Sequence, residues 1–209
     1  MPSDAPGAIG AAVEALWAGG IVGLPTETVY GLCVLPQDAA LAAVISAKRR
    51  SEEKGIALMV DSMAQVEALA VLPDAARRLA EHFWPGPLTL VLSPLVGVAL
   101  PDLLYGATGS LGFRMPDHPT PRALAARLGP VAVTSANISG QPEARSAAEL
   151  IASVGHSLAL VLDGGPARGG VPSTVVEFDT AGQPRILRAG AIDAASIQQV
   201  ARDEKGSAG

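Results

Sequence analysis

Four short apolar runs in this chain each begin or end in a cluster of small polar or cationic side chains. That pairing constrains the fold more than any other feature. The clusters are Pro25-Thr26-Glu27-Thr28-Val29-Tyr30-Gly31, Lys48-Arg49-Arg50, residues 110–114 and Thr134-Ser135-Ala136-Asn137-Ile138-Ser139-Gly140. Short apolar runs suit strands buried in a sheet, and polar residues at their ends would face a crevice. Together the clusters supply hydroxyls, amides and fixed positive charge, with no obvious nucleophile, zinc cage or phosphate loop. A site of that composition positions an anionic, oxygen-rich substrate and lets the substrate do the chemistry.

The chain of 209 residues fits one domain, or one domain with a short tail. Apolar residues at 49% against charged residues at 17% exclude global disorder. Cys33 is the single cysteine, so no intramolecular disulfide can form and a reducing compartment is the natural setting. Residues 1–10 have neither the basic start nor the apolar core of a signal peptide. No apolar run approaches the roughly 18 residues of a spanning helix, so a cytoplasmic protein without a membrane partner is expected. A net charge of −5 argues against a broadly basic nucleic-acid surface and leaves room for a local cationic cleft.

Along the chain, helical spacing of Ile9, Val13, Leu16 and Trp17 predicts a first helix over residues 7–18, followed by a strand at 21–24. Asp38 is a plausible N-cap for a helix over 38–48, whose basic end suits the negative end of a helix dipole. A strand is read at 56–60, then a helix capped by Asp61 or Ser62, and another with Pro73 in its first turn. Strands follow at 88–92 and 110–115, separated by an irregular excursion over 94–109. A helix at 121–128 leads into a strand at 131–133, and Ser146 caps a helix carrying Leu150 and Ile151. Strands at 158–162, 173–178 and 185–187 precede a short helix capped by Asp193, and residues 202–209 read as a frayed tail. Alternating strands and helices make the class α/β with a twisted mixed sheet.

The candidate site residues each have a plain structural alternative. Hydroxyls of Thr26 and Thr28 could cap a turn or touch a small polar substrate. Lys48, Arg49, Arg50 and Lys54 could be a solvated helix end. Arg114 sits in an apolar strand, where a charge needs a partner. That partner is either a ligand carboxylate or phosphate on its fork, or an internal Asp or Glu. The 134–140 turn suits an anion or a capped strand-to-helix connection, and Ser173-Thr174 and Arg188 suit a site or the scaffold.

Several chemistries are disfavoured. There is no G-x-x-x-x-G-K-[ST] loop, and Gly164-Gly165 with Gly169-Gly170 lacks dinucleotide spacing. His82, His118 and His156 are widely separated, so a zinc site is not expected. Neither a nucleophile elbow nor a basic stripe with interleaved aromatics is present.

Read in order, these motifs resemble the YrdC-like family of threonylcarbamoyl-AMP synthases. Leu24-Pro25-Thr26-Glu27-Thr28-Val29-Tyr30-Gly31-Leu32 resembles its opening signature, and Lys48 with Arg50 its Lys-x-Arg pair. Further matches are Phe83-Trp84-Pro85-Gly86-Pro87-Leu88-Thr89-Leu90, Arg114-Met115-Pro116-Asp117-His118-Pro119, Ser135-Ala136-Asn137-Ile138-Ser139-Gly140, Pro172-Ser173-Thr174-Val175-Val176 and Ile186-Leu187-Arg188. The series spans about residues 8–192, which the resemblance makes the catalytic domain, with a short helix and tail over 193–209. Departures are Ser51 where the family usually has Pro, Lys54-Gly55 where it often has Asn or Asp before Pro-Leu, and Met59 where some members have His.

The resemblance implies a concave, positively charged sheet face and a nucleotidyltransferase using ATP, L-threonine and bicarbonate, with magnesium accompanying ATP. The product, threonylcarbamoyl-AMP, would pass to a separate transferase complex that modifies tRNA. Carried over by position, Thr28, Arg114, Val133 and Ser173 would meet threonine. Lys48, Arg50, Ser110, Ser135, Asn137 and Arg188 would meet ATP, with Lys48 and Arg50 catalytic and no protein side chain on the metal. A non-catalytic module binding tRNA or double-stranded RNA on the same fold is the alternative, and weak RNA binding is compatible with either.

Overall fold

The computed structural model describes residues 1–49 and 55–202. Its strands are β1 (Ile21–Leu24), β2 (Gly31–Val34), β3 (Ala57–Met59), β4 (Leu88–Leu92), β5 (Leu111–Arg114), β6 (Val131–Ser135), β7 (Leu158–Val161), β8 (Thr174–Phe178) and β9 (Pro184–Arg188). They form one sheet in the order β7-β1-β2-β6-β3-β5-β4-β8-β9. The pairs β1–β7, β3–β5 and β4–β8 are parallel and the others antiparallel, so the sheet is mixed as expected. The helices are α1 (Ala8–Trp17), α2 (Asp38–Lys48), α3 (Met63–Glu67), α4 (Asp74–Phe83), α5 (Pro119–Leu128), α6 (Ala147–Val154) and α7 (Ala194–Arg202).

The period-2 alternation of strands sorts side chains onto two faces. Leu32, Val34, Leu58, Ala132, Leu90 and Phe113 point into a larger core with the apolar faces of α2, α4, α6 and α7. Val22, Leu24, Cys33, Val131 and Leu162 point the other way, into a smaller core closed by α1 and α5. Those two helices reach only part of the sheet. Over β3, β4, β5 and β8 the same face continues as Met59, Thr89, Val91, Gly112, Arg114, Val175 and Glu177, and it forms the floor of a cleft. The site therefore exists because one face has fewer helices than strands to cover.

Several local expectations need correcting. Trp17 does not join the buried stripe of α1; it is 68% exposed, because the stripe of Ala8, Ala12, Val13 and Leu16 already faces the core. Asp38 is the first helical residue, not the cap; Gln37 holds the cap position without a side-chain hydrogen bond. Ser62 occupies the cap position of α3, again without one. α5 starts two residues earlier than the proline pattern predicts, because His118 Nδ1 accepts from Thr120 N and caps it at 3.2 Å. Ser146 and Asp193 do cap, accepting from Glu149 N and Ser196 N. β2 is absent from the sequence reading altogether. Part of residues 202–209, from 203 onward, lies outside the described residues.

Candidate active site

The cleft has a volume of about 750 Å³. Of the residues singled out in the sequence, Lys48, Ser110, Arg114 and Val133 border it, as do Ser135, Asn137, Ser173 and Arg188. Thr28 does not border it but lies directly beneath, buried, with its hydroxyl on Arg114. Arg50 and Lys54 lie outside the described residues.

One wall is built where α2 ends beside the turn that follows β6. Lys48 is the last residue of α2 and is 2% exposed. Its ammonium donates to Asn137 O at 2.8 Å and Asn137 Oδ1 at 2.9 Å, and also to Ser135 O. Ser135 Oγ donates to the same Asn137 Oδ1 at 2.8 Å, and Asn137 Nδ2 donates to Gln141 O at 2.6 Å. Ser139 N closes the ring on Lys48 O at 2.9 Å. A buried ammonium is tolerated only when its donors are satisfied, and this turn supplies the acceptors.

The segment after β1 reaches the cleft through β2, which pairs Gly31 opposite Ser135. Gly31 has a tertiary reason to be glycine: a Cβ there would stand 2.7 Å from Val133 Cγ1. Thr26 Oγ1 receives Thr28 N and Val29 N, both at 3.2 Å, and donates to Val29 O at 2.6 Å. That local turn is the bland role anticipated for a Thr hydroxyl, and Thr26 also borders the cleft. Tyr30 is buried; its hydroxyl donates to Gly165 O at 2.7 Å and lies 3.1 Å from Asp163 Oδ1, and burial raises its pKa.

The opposite wall centres on Arg114, 7% exposed at the end of β5. Its partner is the internal carboxylate that the sequence left open: Nη2 donates to Glu27 Oε1 at 2.6 Å and to Thr28 Oγ1 at 2.9 Å. Nε donates to Gly86 O at 3.3 Å. The Trp84–Leu88 turn is fixed for that purpose by Trp84 Nε1 on Leu88 O and Gly86 N on Met115 O, each 2.8 Å. Ser173 Oγ lies 2.8 Å from Thr89 Oγ1, and Arg188 donates to Ser173 O at 2.9 Å and Ser173 Oγ at 3.1 Å. Arg188 keeps exposed surface, yet partial burial lowers its pKa, with the nearby Arg114 charge adding to the effect and Glu143 opposing it. Two guanidiniums therefore stand close together on this wall.

Glu177, Thr108 and Arg185 were not singled out from the sequence, and Thr89 figured there only inside the 83–90 motif. Glu177 accepts from Thr108 Oγ1 at 3.1 Å and from Arg185, at the end of the cleft bordered by Ser110. The signal existed, since a charge inside Val175-Val176-Glu177-Phe178 is as anomalous as the one at Arg114.

The site is a cleft over a mixed sheet left open on one face, lined by Arg114, Arg185 and Arg188 together with hydroxyls and amides. The family described as Telomere recombination (Sua5/YciO/YrdC) matches residues 14–190, and the chain belongs to it. A threonylcarbamoyl-AMP synthase of Chromohalobacter salexigens is 43% identical over 173 residues, which are 81% of this chain and 91% of that relative. The crystal structure of Pyrococcus abyssi Sua5 complexed with L-threonine superposes with a TM-score of 0.86 at 35% identity. That match covers 92% of this chain but only 57% of the Pyrococcus chain. Escherichia coli YciO superposes with a TM-score of 0.77 at 26% identity, over 88% of this chain and 90% of that one. Among the described residues no helix is long and apolar enough to cross a membrane.

Proposed function

We propose that the protein is an L-threonylcarbamoyladenylate synthase, a nucleotidyltransferase that joins L-threonine, bicarbonate and ATP and releases pyrophosphate. The observation that carries this reading is the convergence of Lys48, Ser135, Asn137, Arg114, Ser173 and Arg188 on one cleft in a chain of this family. The reaction needs no protein nucleophile. The threonine amine attacks the carbon of carbon dioxide, or of bicarbonate with loss of water, and gives up a proton to become a carbamate. A carbamate oxygen then attacks the α-phosphorus in line, and the bond from that phosphorus to the pyrophosphate oxygen breaks. The protein's part is alignment and stabilisation of charge on phosphate oxygens.

In this reading Arg114, Thr28, Ser173 and the Val133 strand receive threonine, with the carboxylate on Arg114. Ser110, Ser135, Asn137, Arg50 and Arg188 receive ATP. Lys48 contributes its charge from a fixed position, since its donors already hold the 135–137 turn. Magnesium is proposed to arrive on the nucleotide phosphates as part of the substrate. Glu177, the carboxylate among the described lining residues, has both oxygens engaged, and no described cluster of acidic or sulfur ligands fits a metal. The product would feed a transferase acting on tRNA, in a cytoplasmic setting.

The test is pyrophosphate release from ATP and bicarbonate, with threonine, serine or no amino acid. Threonine-dependent release is the expected result. Release without an amino acid requirement, or salt-sensitive RNA binding with no release, would overturn the proposal. Arg50→Ala should weaken ATP use by roughly ten- to 150-fold, the loss of about 1.5–3 kcal/mol for a charge-assisted contact. Unaltered ATP kinetics in that variant would remove Arg50 from the site.

A further inference from the structure

The Arg114–Glu27 pair is organised asymmetrically, and the asymmetry favours the arginine. Glu27 Oε1 holds Nη2 at 2.6 Å, while Glu27 Oε2 is closed off from solvent and has no hydrogen-bond partner. Buried carboxylate oxygens are rarely left unmatched, because the desolvation cost is of the order of 1–3 kcal/mol or more. A pair built only for stability would set the fork side-on, with Nε and Nη2 on the two carboxylate oxygens. Here Nε is given to Gly86 O and the second Nη2 hydrogen to Thr28 Oγ1. The guanidinium is thus held along one edge by three acceptors from two segments, whereas the carboxylate is half satisfied. Nη1 makes no hydrogen bond to the described residues, so it is the edge left for a ligand.

Glu27 is itself well anchored. Its carbonyl accepts from Gly169 N at 2.9 Å, and Thr28 O accepts from Gly170 N at 2.8 Å, so the glycine-rich segment 164–170 clamps the backbone. A Cβ at Gly169 would stand 2.9 Å from Glu27 O, which explains the glycine there. Glu27 does not border the main cleft. It borders a separate cavity of about 320 Å³ behind it, with Thr26 common to both. The direct side-chain link from Glu27 to the cleft is its bond to Arg114.

We propose that Glu27 is a positioning residue for the amino-acid subsite, holding the Arg114 guanidinium so that its Nη1 edge faces the substrate carboxylate. The inference rests on the functional reading above. With the guanidinium plane fixed before binding, the carboxylate meets an oriented donor and the ordering cost is already met. Because Ser135 and Asn137 are held from the opposite wall, this effect is confined to one substrate.

Steady-state pyrophosphate release by the full chain tests it, with threonine and ATP varied separately. Glu27→Gln keeps a neutral acceptor and should raise the KM for threonine about five- to tenfold; Glu27→Ala removes the anchor and should raise it at least ~30-fold. The KM for ATP should stay within about twofold of wild type in both. Should Glu27→Ala fail to fold, the near-isosteric Gln variant and calorimetric threonine titration carry the test. An unchanged threonine KM in an active Gln variant, or threonine and ATP constants rising together, would overturn the inference. Wild-type protein lacking threonine-dependent release would instead sink the functional reading, so the two failures are separable.

Discussion

The two walls of the cleft solve the problem of buried charge in opposite ways. On the α2–β6 wall, the Lys48 ammonium is surrounded by backbone and amide oxygens of one turn, and Ser135 and the Asn137 amide are tied into the same network. On the β5–β8–β9 wall, Arg114 and Arg188 lie near each other, Glu27 pairs with Arg114 through one oxygen, Glu143 acts on Arg188 only through its charge, and one guanidinium edge has no described partner. The first wall is closed by bonds within the fold; the second leaves Glu27 Oε2 and one edge of Arg114 without a described partner. A saturated network specifies a shape, and an unsaturated one holds a place for charge.

The largest expected effect breaks the comparison at its open wall. Arg114→Ala leaves Glu27 buried with no cation and should lower unfolding free energy by about 3–5 kcal/mol, measured by urea titration. The surviving folded protein should need far more threonine. A stable variant with an ordinary threonine response would mean that the pair is dispensable.

The finished wall should respond differently. Lys48→Met keeps the apolar stem but strands the acceptors of the 135–137 turn, at a cost of about 2–3 kcal/mol. Its kinetic penalty should fall on ATP, with the threonine KM little changed. If the threonine KM moves as much, the walls are not independent.

The smallest effect lies outside both walls, at the His118 cap that starts α5 just after Arg114-Met115. Capping through Nδ1 requires neutral imidazole, and burial lowers the pKa of His118, against the pull of Glu27 and Asp117. The unfolded histidine takes its proton near 6.5, so this contribution is complete above that pH and is lost as pH falls through the lower folded value. His118→Asn should keep the cap and flatten the acid limb of the stability curve, whereas His118→Ala should cost about 1 kcal/mol at neutral pH. An acid limb unaltered in the Asn variant would exclude His118 as its source.

Much of this was legible from residue order. The helices that bury alanine and leucine stripes, the strands rich in Val and Leu, and the motif residues at strand ends stand close to where spacing placed them. β2 escaped notice because a four-residue strand that opens on Gly31 and contains Cys33 carries little β signal of its own. It forms because β1 and β6 sandwich it, and position 31 takes only glycine because the nearby Val133 side chain leaves no room for a Cβ. Trp17 was misplaced for the converse reason, since helical spacing cannot say where a core ends. The charge of Arg114 signalled a partner, but nothing local distinguished a ligand from Glu27, far away in the chain.

By itself, the sequence determined the class of fold and marked the polar residues that gather at the cleft, because periodicity and residue type are local properties. Only the tertiary structure decided which face of the sheet stays open and that the Lys48 ammonium is surrounded by acceptors while the Nη1 edge of Arg114 has no described partner. Hydrogen-bond satisfaction is settled among groups that strand pairing brings together from distant parts of the chain, and no local pattern records that pairing.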